Sequence, residues 1–361
     1  MLTRIHIDEL LERLTQGFAN LRHDGRFDEP NLDGTPGDYI SFDGWEWPQG
    51  VGLYGLAQLW LARDRDPALG QMLTEWYDRA FARGLPGLNV NTTAPMLALS
   101  LIWRESGDPR QGAALADWAE RVMTTAPRTG FGGIQHDVSD RTNSGELWDD
   151  TLFMVALFLA SYGQGAGRRD LVDEAVRQFL THAHFLADRE TGLWFHGWTF
   201  EGRHNFARAR WARGNAWVTA CILDLFDLAD LPDQGTAEFL RALLRDQVAA
   251  LLPLQTESGA WRTLLDDPDS YPETSATAGF AYGLMKGARL GILSPEAGAA
   301  GRRALNYVVS QIGEDGVVGG VSYGTRMGHD LQFYRDIPIQ PTGYGQSLAM
   351  LALVEARKGA E

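Results

Sequence analysis

Apolar residues recur three or four positions apart along almost the whole chain. The pattern predicts twelve helices, near 7–20, 48–64, 68–84, 91–107, 109–125, 145–162, 168–187, 215–230, 233–252, 274–291, 295–312 and 342–357. Each helix with its connection takes about 30 of the 361 residues. The window Val155-Ala156-Leu157-Phe158-Leu159-Ala160 is apolar nearly all round, as an inner, buried helix must be. The window from Leu171 to Leu186 intersperses Asp173, Glu174, Arg177 and Gln178, as an outer helix does. The linkers also alternate. Some are short, such as Ser106-Gly107-Asp108-Pro109. Others, over 23–47, 127–147, 189–214, 253–273 and 313–341, are long and rich in Gly and aromatics. Long loops in a compact fold usually carry function. Paired helices in a ring, with the long loops gathered at one end, satisfy both alternations. That predicts an all-α toroid formed by one domain over 1–361, with no low-complexity linker dividing it.

Composition narrows the function. The chain has 32 basic and 47 acidic side chains, a net charge of −15, which disfavours binding to nucleic-acid phosphates. Lys286 and Lys358 are the only lysines, so nearly every cation is an Arg. The single cysteine, Cys221, excludes a disulfide framework and a Cys-rich zinc site. The first ten residues carry charges where a signal peptide needs its apolar run, and no stretch of about 20 residues is apolar throughout. The expectation is a cytoplasmic protein without a membrane partner.

Four constellations carry candidate chemistry. In Glu146-Leu147-Trp148-Asp149-Asp150-Thr151-Leu152-Phe153-Met154, two carboxylates open an apolar helix. Asp150 shares a face with Phe153, Met154 and Leu157, whereas Asp149 points about 100° away. An inward face would bury Asp150, raise its pKa and make it a general acid. A helix N-terminus favours the anion and opposes that role, and Asp149 reads as such an N-terminal anion. In Trp211-Ala212-Arg213-Gly214-Asn215-Ala216-Trp217, Asn215 reads as an N-cap. Trp211 and Arg213 then stand on the preceding loop, and a guanidinium there suits a carboxylate partner. The alternative is that both tryptophans are core and Arg213 pairs with a structural acid. Seven of the 12 Trp, at 45, 47, 148, 194, 198, 211 and 217, fall in or beside loops, a placement suited to stacking on sugar rings. Glu273, ahead of a cap at Thr274 or Ser275, is either a second cleft carboxylate or an anion at a helix end. His182 and His184 are two apart, which splits them across helix faces and makes no metal site.

With these segments in this order, the chain resembles the unsaturated rhamnogalacturonyl hydrolases of glycoside hydrolase family 105 and the related unsaturated glucuronyl hydrolases of family 88. The resemblance extends from Trp47-Pro48-Gln49-Gly50-Val51, through Gly259-Ala260-Trp261-Arg262 and Tyr282-Gly283, to Gly343-Tyr344-Gly345-Gln346. It implies an (α/α)6 barrel. It also implies hydration of the C4=C5 enol ether in a Δ4,5-unsaturated uronic acid at the non-reducing end of a lyase product, without metal or organic cofactor. The Trp148-x-Asp150 spacing places the family's general acid/base on Asp150. His136, His196, Trp211, Arg213 and Trp217 match positions used around the sugar, with Arg213 assigned to the uronate carboxylate. Two positions depart from the family. Asn91, in Leu88-Asn89-Val90-Asn91-Thr92-Thr93, stands where an assisting aspartate is common, and Asp137 stands where a Lys follows the loop histidine. An amide cannot raise the pKa of Asp150 by like-charge repulsion, so burial would have to. The substrate expected is an unsaturated uronyl oligosaccharide of pectin type. The alternatives are a glucuronyl substrate from ulvan or glycosaminoglycans, a sugar epimerase of the N-acylglucosamine 2-epimerase type, which needs paired histidines, and a non-catalytic sugar-binding module.

Overall fold

The computed structural model describes residues 2–23, 25 and 30–360. In chain order its helices are α1 (Arg4–Ala19), α2 (Trp47–Ala62), α3 (Pro67–Arg83), α4 (Val90–Ser106), α5 (Pro109–Thr124), α6 (Leu157–Ala166), α7 (Arg169–Leu186), α8 (Ala212–Leu228), α9 (Gln234–Leu251), α10 (Thr274–Arg289), α11 (Pro295–Ser310), the short α12 (Leu331–Arg335) and α13 (Gly343–Arg357). Two strands, β1 (Glu146–Trp148) and β2 (Gly197–Thr199), form an antiparallel ribbon. The twelve long helices match the twelve windows of apolar periodicity.

Helices α2, α4, α6, α8, α10 and α13 each pack on the next, and α13 packs back on α2, closing an inner ring. The remaining long helices back it from outside, for example α3 against α2, α5 against α4 and α11 against α10. This is the (α/α)6 toroid. Inner helices are buried nearly all round; α2 is buried almost continuously from Trp47 to Leu59. Outer helices bury one stripe, as in α5 with Gln111, Leu115, Trp118, Ala119 and Val122.

The turns from inner to outer helices are short and chemically specified. After α4, Gly107 adopts φ 65°, and Asp108 then caps α5 by accepting the Arg110 amide at 2.7 Å, with Pro109 as first helical residue. Asp66-Pro67 and Ser294-Pro295 repeat the device at α3 and α11. The five long loops all lead into the N-terminal ends of inner helices, so they collect on one face of the ring. No described helix is long and apolar enough to cross a membrane.

Three local expectations change. The predicted helix over 145–162 begins as β1, and regular helix follows only after a π-helical turn over Leu152–Ala156. Helix α8 starts at Ala212 with Trp211 as its N-cap, so Arg213 lies in the first turn. Asn215 is internal and braces the neighbouring loop instead, exchanging bonds with the Trp194 backbone at 2.8 Å in both directions. Helix α10 is capped by Glu273, which accepts the Ala276 amide at 2.6 Å.

Candidate active site

The ribbon explains how residues far apart in sequence converge. In β1–β2, Trp148 pairs with Gly197, and the Asp149 amide extends the ladder to the His196 carbonyl at 3.0 Å. On the other edge of β1, the His136 amide donates to the Glu146 carbonyl at 3.0 Å. One three-residue strand therefore hangs His136 and His196 on opposite sides of Trp148. The His136 ring stacks on Trp148 with centroids 4.2 Å apart, and His196 meets Trp148 edge-on at 5.4 Å. The π-turn that follows widens the helix beside Asp150, a distortion common at functional sites, and brings Met154 to the cavity wall.

The cavity is about 540 Å³, within the ~300–1,000 Å³ of small-ligand pockets. Asp150 lies in its wall, facing Asn91 at the start of α4, His136 and Trp148. The loop over 313–341 supplies another wall through Tyr323, Thr325 and Arg326. Tyr39 and Trp47 come from the first long loop and the start of α2. Asn91 is within hydrogen-bonding reach of Glu46 and Tyr39. Burial and the neighbouring Asp140 charge work to hold Glu46 up at about 7, against the bonds it accepts from Ser139 and the Trp47 amide.

His196 Nε2 stands 3.3 Å from Asp150 Oδ2, at ion-pair distance but short of an aligned hydrogen bond. Its Nδ1 is 2.8 Å from the Tyr334 hydroxyl, which also accepts the Gly328 amide at 3.2 Å. A carboxylate at Asp150 calls for N–H on Nε2, so Tyr334 O–H donates to Nδ1. Burial lowers the His196 pKa against the pull of Asp150, and burial lowers His136 to about 3; both rings are neutral at pH 7.

Asp149 and Asp150 divide unexpectedly. Asp149 was read as an N-terminal anion at the helix surface, yet it is fully buried, and neither of its oxygens has an aligned donor. Burial first, then the Asp150 charge, raises its pKa well above the carboxylate range. Burial also pushes Asp150 up, but the contact with His196 outweighs it and holds Asp150 below its ordinary value. The expected elevation of the Asp150 pKa is thus reversed, because the sequence does not show that His196 lies against this carboxylate. Asp149, Asp150 and His196 bring side-chain oxygen and nitrogen atoms within 4.8 Å of one another.

Four of the predicted site residues, His196, Trp211, Arg213 and Trp217, stand behind the cavity wall. Arg213 is fully buried. It donates to the Ser322 carbonyl at 2.8 Å, the Tyr323 carbonyl at 3.0 Å and Thr325 Oγ1 at 2.7 Å, and lies 3.8 Å from Glu273. It holds the 313–341 loop and does not reach the cavity wall. Its nearest carboxylate is Glu273, itself fully buried. Trp211 lies between His196, 4.3 Å away, and the Arg213 guanidinium, 4.4 Å away. Trp217 packs under Trp47 and Phe153. Of the seven loop tryptophans, Trp47 and Trp148 line the cavity. His182 is buried and His184 exposed, on different faces as their spacing requires.

Sequence reasoning passed over Tyr39, Tyr323, Arg326 and Tyr334. The available signal was the loop over 313–341, with three tyrosine or phenylalanine residues and two arginines between Tyr323 and Arg335.

A six-hairpin toroid with Asp150 in the wall of an aromatic cavity at its loop end fits a glycosidase. The chain belongs to Glycosyl Hydrolase Family 88, whose sequence profile matches residues 25–359. It is 33% identical over 317 residues to the unsaturated rhamnogalacturonyl hydrolase YesR of Bacillus subtilis, covering 87% of this chain and 90% of that one. The crystal structure of a possible GH105 member from Salmonella enterica superimposes with a TM-score of 0.97 at 42% identity, covering 99% of this chain and 95% of that one. A possible GH105 member from Klebsiella pneumoniae gives 0.96 at 43% identity, covering 99% and 94%. The protein is therefore a glycosidase, which removes the epimerase and binding-module alternatives, although His136 and His196 do flank one site.

Proposed function

We propose that this glycosidase removes a Δ4,5-unsaturated uronic acid from the non-reducing end of lyase-generated oligosaccharides of rhamnogalacturonan type, by hydrating the C4=C5 enol ether. The observation that carries the reading is Asp150, presented to an aromatic cavity and backed by His196. The similarity to YesR, named as an unsaturated rhamnogalacturonyl hydrolase, supports the substrate class. Asp150 delivers a proton to C4, water adds at C5, and the carboxylate takes a proton from that water. The product hemiketal opens and releases the shorter sugar. Trp148 and Trp47 offer ring faces to the sugar, His136 and Asn91 offer polar contacts, and Arg326 faces its carboxylate. Trp211 and Arg213 act from behind by fixing His196 and the 313–341 loop, and Trp217 supports Trp47. The chemistry draws on no metal or organic cofactor, the whole chain works as one catalytic domain, and the enzyme acts in the cytoplasm on imported fragments.

The test is a panel of unsaturated galacturonyl and glucuronyl disaccharides, followed through loss of the enol-ether absorbance. Wild-type protein is expected to bleach the galacturonyl members fastest, and Asp150→Asn to abolish the signal. Activity retained in Asp150→Asn would overturn the role of Asp150, and absence of bleaching across the panel would overturn the reaction.

A further inference from the structure

The acid role of Asp150 leaves a question about its proton. Asp150 faces His196 and rests ionised, and Asn91 supplies no second carboxyl from α4. The second carboxyl stands next in the chain. Asp149 is fully buried, has no aligned donor on either oxygen, and brings one carboxylate oxygen within 4.8 Å of an Asp150 oxygen and a His196 ring nitrogen. The fold makes room for it. A Cβ at residue 214 would collide with Asp149 Oδ2, so Gly214 in the first turn of α8 is the residue that admits this side chain. An ionised carboxylate so placed would carry an unsolvated charge, whereas a protonated one is a neutral donor aimed at Asp150.

We infer that Asp149 is the proton-holding partner of Asp150, so that the two carboxyl groups keep one proton between them and Asp149 stores what Asp150 delivers. The inference rests on the hydration reading above and deepens it. In the resting enzyme, Asp149 O–H donates to the Asp150 carboxylate. During turnover that proton passes to Asp150 and on to C4, where the π electrons of the double bond form the new C–H bond. The electron-deficient C5 takes the oxygen of water, and the proton released by the water returns to the pair. The pair ends as it began, with one proton and one negative charge.

The groups facing Asp149 agree with this state. Asp150 raises its affinity for a proton, and so does burial. Arg213, from α8, opposes them, but that guanidinium is already matched by Glu273. His196 and Tyr334 are neutral hydrogen-bonding groups, and Cys221 is a buried thiol held protonated. Like charges placed this close cannot both persist, and Asp149, fully buried and without the His196 contact that Asp150 has, takes the proton.

Infrared spectroscopy of the resting protein tests the state directly. A protonated carboxyl band is expected at neutral pH in wild type and lost in Asp149→Asn, so that it stands in the difference spectrum, where the band of Glu46, held up at about 7 in both proteins, cancels. Absence of that difference band would overturn the inference, whatever the substrate proves to be. In turnover, Asp149→Asn leaves Asp150 to hold the proton alone beside His196. The alkaline limb of kcat/KM should then fall by a pH unit or more, with about a tenfold loss at neutral pH. A merely structural Asp149 would lower stability and leave that limb in place, which also overturns the inference. Should Asp149→Asn fail to fold, the infrared pH titration of wild type still decides: the band must persist up to the alkaline limb and vanish through it. Failure of wild type to bleach any substrate would strike the hydration reading alone.

Discussion

Replacing Tyr334 by Phe isolates the link between the cavity and the small core cluster behind it. Tyr334 is fully buried among Ala209, Trp211, Leu264 and Ile337, so the ring stays and only the hydroxyl goes. Three contacts are lost, to His196 Nδ1 at 2.8 Å, from the Gly328 amide at 3.2 Å and a weak one to Met327 Sδ at 3.6 Å. A buried amide without an acceptor costs about 1–3 kcal/mol, and this sets the expected loss of stability. The effect on chemistry comes through the imidazole. Without a donor at Nδ1, nothing fixes the proton on Nε2, and Asp150 loses part of the contact that keeps it ionised. A neutral hydrogen bond is worth about 1 kcal/mol net, roughly two-thirds of a pKa unit. The Asp150 pKa therefore rises. It then holds its proton more tightly, and the acidic limb of the kcat/KM profile moves to higher pH by about half a unit to one unit, a roughly three- to tenfold drop in rate on that limb. The assay is continuous enol-ether bleaching across pH, paired with urea unfolding. His196→Ala, which removes the donor entirely, should move the limb further in the same direction. Superimposable profiles for Tyr334→Phe and wild type would refute the claim that Tyr334 sets the His196 tautomer.

Three further outcomes follow from other parts of the molecule. Arg326→Gln removes a cation from the cavity wall and should raise KM by about ten- to a hundredfold, the worth of a charge-assisted bond, with little change in kcat; an unchanged KM would place the substrate carboxylate elsewhere. Asp224→Ala strips the buried Lys286 ammonium, 2.6 Å away, of its fully buried partner, leaving Asp227 at 2.5 Å, so unfolding in urea should show a loss of about 3 kcal/mol, and a loss below about 1 kcal/mol would mean that Asp227 suffices. His182 is held neutral by burial, with its pKa at about 4 against an ordinary 6.5, so the unfolded chain takes up the proton first as pH falls. Stability is lost between pH 6.5 and about 4, by up to roughly 3 kcal/mol, and His182→Gln should flatten that slope; an unaltered slope would assign the loss to other groups.

The toroid was legible because its signals are repetitive. Apolar period, short capped turns and long loops recur with each hairpin, so errors at single residues do not disturb the whole. The site was less legible because its determinants are single contacts. Leu147 and Trp148 continue the apolar pattern of the helix after them, and nothing local marks three residues as a strand whose partner lies fifty residues on. Arg213 illustrates the same limit. The sequence allowed its guanidinium either the uronate carboxylate or a structural acid, and could not show that Glu273, Ser322 and Thr325, from other loops, lie around it. Loop tryptophans were over-read for a similar reason. Trp45 stacks on Trp76 and Trp194 is fully buried, because long loops in this fold are themselves packed against the ring.

The charge of −15 gains a specific meaning at the cavity. At long range it repels a uronate, so binding depends on what the anion meets inside. Asp140 sits in the wall with Arg326 as its ion-pair partner, so that pair adds little net charge. The N-terminal ends of the inner helices point toward the same face, and their dipoles favour anions. The remaining threat is the Asp149–Asp150 pair. Doubly ionised, it would set two negative charges beside an anionic sugar; with one proton it sets only one, which faces the neutral His196 ring at 3.3 Å. Neutral histidines on both flanks make the retained proton matter more, since neither ring brings a positive charge of its own. The proton that the chemistry needs at C4 is therefore the same one that lets an acidic enzyme accept an acidic substrate. Affinity for the substrate should then fall at the same alkaline pH at which the pair loses that proton.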